Sequence, residues 1–143
     1  MLWEFAMSEP TIGQKGDDCT VAIRVRYAEC DSMGYLHHAK YWEYFEHART
    51  ELLRQNGFRY RDLEARGICF VVYRLACTYK VPIRYDDLVD VTVRVERMTR
   101  TRVDHSYRID RDGKLICEAT ATLACVGSDG RPIIMPDSFW GDQ

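Results

Sequence analysis

The pattern of apolar and polar positions divides the chain into one helical stretch and five strand-like stretches. From Thr20 to Tyr27 apolar and polar residues alternate, which predicts a strand with one buried face. Four strand-like stretches follow the helix, three of them with the same two-residue period: Ile68–Lys80, Leu88–Met98, Arg102–Asp110 and Leu115–Val126. Asp112-Gly113, between the last two stretches, is a strong signal for a short hairpin.

The helical stretch is predicted to run from about His38 to Gln55. Its apolar residues recur every three or four positions: Tyr41, Phe45, Ala48 and Leu52. Trp42 and Tyr44 widen this band, which indicates a helix that protein nearly surrounds. Gly57 follows the stretch and supplies the usual stop signal, because glycine is favoured just past a helix end.

The order of these elements predicts an α+β domain. A run of strands with one segregated helix favours an antiparallel sheet that packs one face against that helix. Residues 1–18 are predicted to form a loose N-terminal arm and residues 19–143 a single domain. A chain of 143 residues is long enough to bury a substantial core in one domain.

Composition argues against several classes of partner. The formal net charge is −2 with both signs mixed, whereas a nucleic-acid partner usually requires a basic face. No run of about 18 apolar residues is present, so no membrane span is predicted. The six cysteines are scattered along a chain that needs no covalent staples, which favours reduced thiols and a cytoplasmic location.

Candidate chemistry lies between the first strand and the helix. Asp31 falls in a turn, and Gly34 allows the backbone to turn sharply there. None of residues 35–38 is Ser, Thr, Asp or Asn, so the predicted helix lacks a good cap and its first N–H groups are left free. Such groups can bind a developing oxyanion. A carboxylate that faces them predicts an acyl-transfer site, although Asp is also a common turn former.

This stretch resembles the signature of the hotdog-fold thioesterases, in the group of 4-hydroxybenzoyl-CoA and acyl-CoA thioesterases. The similar positions are Tyr27, Glu29-Cys30-Asp31, Gly34 and Leu36-His37-His38-Ala39-Lys40-Tyr41. Residues 46–51 and 79–88 resemble later parts of the family pattern, so the resemblance covers about residues 20–137. It implies the hotdog fold, a curled antiparallel β-sheet wrapped around one long central helix. Lys40 departs from the family, which often has Asn there.

The resemblance implies catalytic roles for three residues. Asp31 is expected to be the catalytic carboxylate, either as a general base on water or as a nucleophile that forms a mixed anhydride. His38 is expected to orient water or the thioester with its side chain and to polarise the thioester carbonyl with its backbone N–H; an exposed, loosely packed histidine is the alternative. Tyr27 is expected to form a hydrogen bond near Asp31, with plain packing as the alternative.

Gly34, Tyr41, Arg100 and Arg102 are expected to bind substrate. Because coenzyme A carries phosphates, the two arginines are expected to form a basic rim through charge-assisted contacts. The alternative is the solvated end of a hairpin. No metal site and no cofactor are expected. On the helix, Glu46 and Arg49 are three residues apart and are expected to form a modest ion pair.

The predicted function is the hydrolysis of an acyl-CoA thioester to a free carboxylic acid and coenzyme A. The alternatives are a hotdog hydratase or dehydratase and a non-catalytic acyl-CoA-binding module, and an acyl carrier protein remains possible as the carrier. A homodimer or homotetramer is expected, because the wide apolar band of the helix exceeds what one sheet face covers. In the resembling family two sheets join edge to edge, and each active site takes residues from both subunits.

Overall fold

The computed structural model describes residues 12–139. Two α-helices are present in that range: α1 (Lys40–Gln55) and α2 (Tyr60–Ala65). The strands are β1 (Asp18–Arg24), β2 (Cys69–Tyr79), β3 (Leu88–Met98), β4 (Arg102–Arg111) and β5 (Lys114–Val126). Short 3₁₀ turns occupy Tyr27–Glu29 and Asp137–Phe139.

The five strands form one antiparallel sheet in the order β1-β3-β4-β5-β2. The sheet is curled, and α1 packs against it, in contact with β1 and β3. This arrangement confirms the predicted α+β hotdog fold. Consecutive strands from β3 onward pair with each other as hairpins. The long connection that contains both helices joins β1, at one edge of the sheet, to β2 at the other.

The core lies between α1 and the alternating face of the sheet. Four valines of β3 point inward and are fully buried: Val89, Val91, Val93 and Val95. On the helix side Phe45, Ala48 and Leu52 are buried, and the Phe45 ring lies 4.7 Å from the ring of Tyr107 on β4. Burial of each large apolar side chain stabilises the fold by about 1.5–3 kcal/mol. The two-residue period of the strands therefore fixes which face meets the helix.

The last residues of the predicted arm belong to the domain. Ile12 is buried, and its N–H donates to the carbonyl of Phe139 at 3.3 Å. Gly16 donates to the carbonyl of Val95 at 2.8 Å, which continues the edge of the sheet ahead of β1. The rest of the predicted arm, residues 1–11, lies outside the described range.

The helix begins at Lys40, two residues later than predicted. His37 explains the difference, because it closes a turn immediately before the helix. Its carbonyl accepts from the Lys40 N–H at 2.8 Å, and its ring Nδ1 accepts from the Ala39 N–H at 3.1 Å. Histidine is not among the usual capping residues, so the sequence pattern did not signal this turn.

Strand β2 forms one edge of the sheet and pairs only with β5 among the described residues. Over its 11 residues it exposes five large apolar side chains: Val71, Val72, Tyr73, Leu75 and Tyr79. The opposite edge, β1, exposes the mostly polar set Asp18, Thr20, Ala22 and Arg24. An apolar edge strand is a template for pairing with another chain.

Neither helix of the described part is long and apolar enough to cross a membrane.

Candidate active site

The stretch between β1 and α1 folds into a small hairpin whose turn carries Asp31. The His37 N–H donates to the Glu29 carbonyl at 2.9 Å, and the Asp31 N–H donates to the Tyr35 carbonyl at 2.8 Å. Leu36 anchors the second arm to the rest of the domain by donating to the carbonyl of Ile83 at 2.7 Å. The predicted turn is therefore a fixed piece of backbone, bound on both arms.

The turn holds one oxygen of Asp31 and leaves the other available. Oδ1 accepts from the backbone N–H groups of Met33 at 2.9 Å and Tyr35 at 3.1 Å. No described residue binds Oδ2, and the side chain is exposed. Gly34 closes the turn at φ +81°, a region in which a side chain is strained. The Asp31 carboxylate is thus both a turn former and an oriented group with one free oxygen.

The backbone of His38 presents an unoccupied donor. No acceptor for its N–H lies among residues 12–139, whereas the neighbouring Ala39 N–H is taken by His37. The carbonyl of His38 is fixed by the hydroxyl of Tyr79, which donates to it at 3.2 Å. The His38 ring is exposed and stacks on the His37 ring at 4.2 Å. Of the amides expected to be free, the one at His38 is available.

Glu29 is a residue of the site that the sequence reasoning missed. Its carboxylate is 5% exposed and accepts from the Arg26 N–H at 2.9 Å and the Tyr44 hydroxyl at 2.8 Å. The Arg26 guanidinium donates to its second oxygen at 3.3 Å. Burial alone would raise the pKa of Glu29, but these hydrogen bonds outweigh it and hold the pKa below its ordinary value. Glu29 therefore ties the hairpin to α1. The only sequence signal was its acidic identity within the motif.

Removal of the Tyr44 hydroxyl should loosen this anchor. Tyr44→Phe keeps the ring but deprives buried Glu29 of a donor, so the free energy of unfolding should fall by about 1–3 kcal/mol. The ionised carboxylate stabilises the fold above pH 4.5, its unfolded pKa, and that contribution is lost as pH falls through the lowered folded pKa. Denaturant unfolding should therefore show the largest difference from wild type above pH 4.5. Tyr85→Phe, at an exposed ring, is the control, and equal losses in the two variants would contradict this role.

Two expected site residues are placed differently from the prediction. The ring of Tyr27 is 79% exposed and packs edge-on against Tyr85 at 5.5 Å, and its hydroxyl binds none of the described residues. The expected hydrogen bond near Asp31 is therefore not formed. Tyr41 is buried with its ring 4.7 Å from that of Tyr79, and burial raises its pKa to about 12. It packs in the core beside Tyr79, and direct contact of Tyr41 with substrate stays a prediction.

Lys40, at the position where the family often has Asn, forms an ion pair on the surface of α1. The ammonium of Lys40 lies 3.1 Å from a carboxylate oxygen of Glu43, one turn further along α1. This ion pair is exposed and contributes little stability. Lys40 is therefore paired along the helix surface.

The two rim arginines lie at the opposite end of the sheet from Asp31. The Asp31 hairpin is bound to Ile83, just before β3 begins, whereas Arg100 and Arg102 follow the end of β3. A strand of 11 residues spans roughly 33 Å at ~3.3 Å per residue. Within one chain the predicted rim therefore does not border the Asp31 site.

The surroundings of the two arginines also differ. Arg100 is paired with the carboxylate of Asp137 in the last 3₁₀ turn. The guanidinium of Arg102 lies 4.4 Å from the centre of the Tyr73 ring, on the exposed edge strand β2. Arg102 is thus part of the surface that β2 presents, and Arg100 is held by the C-terminal segment.

Fold and site together define a class of protein, the hotdog enzymes with a carboxylate-bearing turn ahead of the central helix. Residues 25–140 match the family model described as the Thioesterase-like superfamily. The chain belongs to this superfamily.

Relatives of known sequence and structure agree with this assignment. The Acyl-CoA thioester hydrolase YbgC of Escherichia coli O157:H7 is 33% identical over 105 residues, which cover 73% of this chain and 78% of that protein. The Acyl-CoA thioesterase YbgC of Haemophilus influenzae is 34% identical over 116 residues, or 80% and 85% of the two chains. The crystal structure of a DHNA-CoA thioesterase from Staphylococcus aureus is 35% identical with a TM-score of 0.79, covering 82% of this chain and 80% of that chain.

Proposed function

We propose that this chain hydrolyses acyl-CoA thioesters and that Asp31 is the carboxylate that carries out the reaction. The assignment of the chain as a thioester hydrolase is supported by its superfamily and by relatives whose names state this activity. The observation that carries the assignment of Asp31 is its geometry: Oδ1 is fixed by two amides while Oδ2 is free, in the same loop as the unoccupied His38 N–H.

The geometry supports two routes to the same products. The His38 N–H donates to the thioester oxygen and stabilises the negative charge that develops on it. In one route Oδ2 of Asp31 takes a proton from water as that water attacks the carbonyl carbon. In the other, Oδ2 attacks the carbon directly, the thiolate leaves, and water then hydrolyses the mixed anhydride. Both routes consume one water and release a carboxylic acid and coenzyme A. The exposed ring of His38 is free to orient the water or the thioester.

The test is the release of free thiol from acyl-CoA by the purified chain. A panel of aryl, short-chain and long-chain acyl-CoA substrates also tests placement in the 4-hydroxybenzoyl-CoA subfamily. The same acyl groups on an acyl carrier protein decide between the two carriers. Hydration of an enoyl-CoA without thiol release would favour a hydratase instead, and binding without turnover would favour a non-catalytic module.

We propose that two chains form a homodimer through their β2 strands. If a tetramer forms, it consists of two such dimers. Strand β2 runs opposite to α1, because its end at Tyr79 contacts His38 while its start at Phe70 contacts Tyr60, beyond the helix. A two-fold axis through β2 would pair two copies of the strand antiparallel. The Phe70 end of the partner subunit would then lie beside the His38 end of this chain.

This pairing would also bring the basic rim to the active site. Arg102, Arg97 and Arg74 border a surface depression of about 460 Å³ next to Tyr73. Arg97 lies near the end of β3, Arg102 opens β4 and Arg74 lies at the middle of β2. In the dimer, Arg97 and Arg102 would lie toward the end of the interface that holds the Asp31 loop of the partner subunit. Guanidinium groups are well suited to phosphate through charge-assisted, bidentate hydrogen bonds. We assign Arg102 to the phosphates of coenzyme A, with Arg100 in a weaker role because it is paired with Asp137.

Replacement of Arg102 should affect binding more than chemistry. Arg102→Ala should raise KM for acyl-CoA about tenfold or more with a small change in kcat, because binding common to the ground and transition states is lost. An acyl-pantetheine that lacks the nucleotide should be hydrolysed almost normally. The control is Arg108→Ala on the same strand, whose guanidinium is paired with Asp110. Equal losses on both substrates would contradict the assignment.

A cytoplasmic location is part of the proposal. All six cysteines are free thiols, including Cys77 and Cys117, whose sulfur atoms lie 3.4 Å apart without a bond. Free thiols persist where glutathione keeps them reduced.

A further inference from the structure

His37, the half-buried neighbour of His38, is bound at three points inside the active site. Its N–H donates to the Glu29 carbonyl at 2.9 Å, and its own carbonyl accepts from the Lys40 N–H at 2.8 Å. Its ring Nδ1 accepts from the Ala39 N–H at 3.1 Å. His37 is therefore tied to the Asp31 hairpin on one side and to the start of α1 on the other.

The contact made by the His37 ring requires one form of that ring. An imidazole nitrogen accepts a hydrogen bond only when it carries no hydrogen, so the ring is neutral and its hydrogen lies on Nε2. The contact has the form of an Asx turn, in which an Asn or Asp side chain accepts from the N–H two residues further on. A ring nitrogen here takes the place of an Asn side-chain oxygen.

The turn between the hairpin and α1 contains three successive N–H groups, at His38, Ala39 and Lys40. His37 takes two of them, the Ala39 N–H with its ring and the Lys40 N–H with its carbonyl. Of the three, the His38 N–H alone has no acceptor among residues 12–139. His37 therefore determines which amide of the turn can bind the thioester oxygen.

The His37 ring also contacts the ring of His38. The two rings stack with their centres 4.2 Å apart and their planes 27° from parallel. The His38 ring is exposed, and none of the residues that the structure describes forms a hydrogen bond with it. The His38 carbonyl is held separately by the Tyr79 hydroxyl at 3.2 Å. The amide and the ring of His38 thus depend on His37, whereas the carbonyl depends on β2.

We propose that His37 is a positioning residue for the attack on the thioester. Its ring holds the turn so that the His38 N–H, and not the Ala39 N–H, binds the thioester oxygen, and its stacking orients the His38 ring. A donor stabilises a developing oxyanion best when it is fixed before the charge develops. The proposal rests on the proposed thioesterase function and adds to it the residue that orients the donor.

Two variants separate the ring acceptor from the ring itself. His37→Phe keeps an aromatic ring but has no acceptor, so kcat should fall about tenfold with KM within about twofold of wild type, because a misplaced donor weakens mainly the transition state. His37→Asn restores an acceptor for the Ala39 N–H without the ring, and it should keep kcat within about threefold of wild type. The control is His47→Phe, at an exposed position of α1, which should match the wild type.

The outcomes distinguish positioning from a purely structural turn. A structural turn would leave kcat per folded molecule unchanged in His37→Phe, with the folded fraction measured by thermal unfolding. That result, or an equal loss in His37→Asn, overturns the proposal while the thioesterase function stands. A rise of kcat in His37→Phe would show that the freed Ala39 N–H helps to bind the oxyanion, and it would also overturn the proposal. No thiol release from any acyl-CoA by the wild type would overturn the function itself.

A second background shows through which group His37 acts. The backbone N–H of residue 38 survives in His38→Ala, so adding His37→Phe there should still lower kcat about tenfold if the amide is what His37 positions. Disappearance of the loss in this background would show that His37 acts through the His38 ring alone, and would overturn the role of the amide.

Amide hydrogen exchange tests the contact without any substrate. The Ala39 N–H should exchange at similar rates in the wild type and His37→Asn, and about fivefold faster in His37→Phe, the factor expected for the loss of one hydrogen bond. Equal rates in the wild type and His37→Phe would show that the ring does not hold this amide, and would overturn the proposal whatever the activity.

Discussion

Thioester hydrolysis should fall by about 10²–10⁴-fold in Asp31→Asn, the range typical of losing a general base, while the fold is retained. The side-chain oxygen of Asn can still accept from the Met33 and Tyr35 amides that hold the turn. The amide nitrogen that replaces Oδ2 can neither take a proton from water nor attack a carbonyl. Kinetics of thiol release, together with thermal unfolding, measure both effects on one preparation.

The control for this variant is Asp112→Asn. Asp112 occupies the β4–β5 turn at φ +52°, a conformation that Asn tolerates well, and it lies far along the chain from the site. Activity of Asp31→Asn within a few-fold of wild type, with Asp112→Asn unchanged, would remove Asp31 from the chemistry. A large loss of thermal stability in Asp31→Asn alone would instead assign Asp31 to the turn only.

Local patterns predicted most of the sheet well because β3, β4 and β5 each bury one face. β3 has the predicted bounds, since its inward valines alternate with polar residues and leave no other register. The start of α1 was wrong by two residues, because His37 closes the preceding turn with its ring nitrogen, which no capping rule anticipates. The first strand was predicted to begin two residues and to end three residues too late. The alternating pattern does not distinguish the end of the strand from the 3₁₀ turn that begins at Tyr27.

Contacts between distant parts of the chain account for what the sequence could not predict. Asp31 and Gly34 were visible in the motif, but the role of Glu29 depends on Tyr44 reaching it from α1. The rim arginines were read as neighbours of the site, although the length of β3 separates them from it. Such separations depend on strand order and direction, which residue patterns specify only weakly.

His105 illustrates the same limit on the helix-facing side of the sheet. It lies on the buried face of β4, where the alternating pattern alone predicts an ordinary core position. Its lack of a partner became visible only when α1 brought the Arg49 guanidinium over that face.

Disruption of the β2 edge should abolish most activity without any change near Asp31. Val71→Glu combined with Leu75→Glu replaces two exposed apolar side chains of β2 by carboxylates. In a single chain such surface changes have small effects on stability, usually within about 0.5 kcal/mol. Across a two-fold axis the four carboxylates would lie close together, and like charges opposite each other destabilise strand pairing. Sedimentation should therefore show a monomer where the wild type is a dimer or tetramer.

Loss of the dimer should carry the activity with it, because the proposed dimer places the Asp31 loop of each chain beside the start of β2 of the partner subunit. Dilution of the wild type should lower activity and melting temperature together, since assembly is linked to both. The control is Ala22→Glu on the opposite edge strand, β1, where one carboxylate is added to an exposed position. A monomeric double variant with wild-type activity would refute the shared site. A double variant that stays dimeric would show that β2 is not the interface.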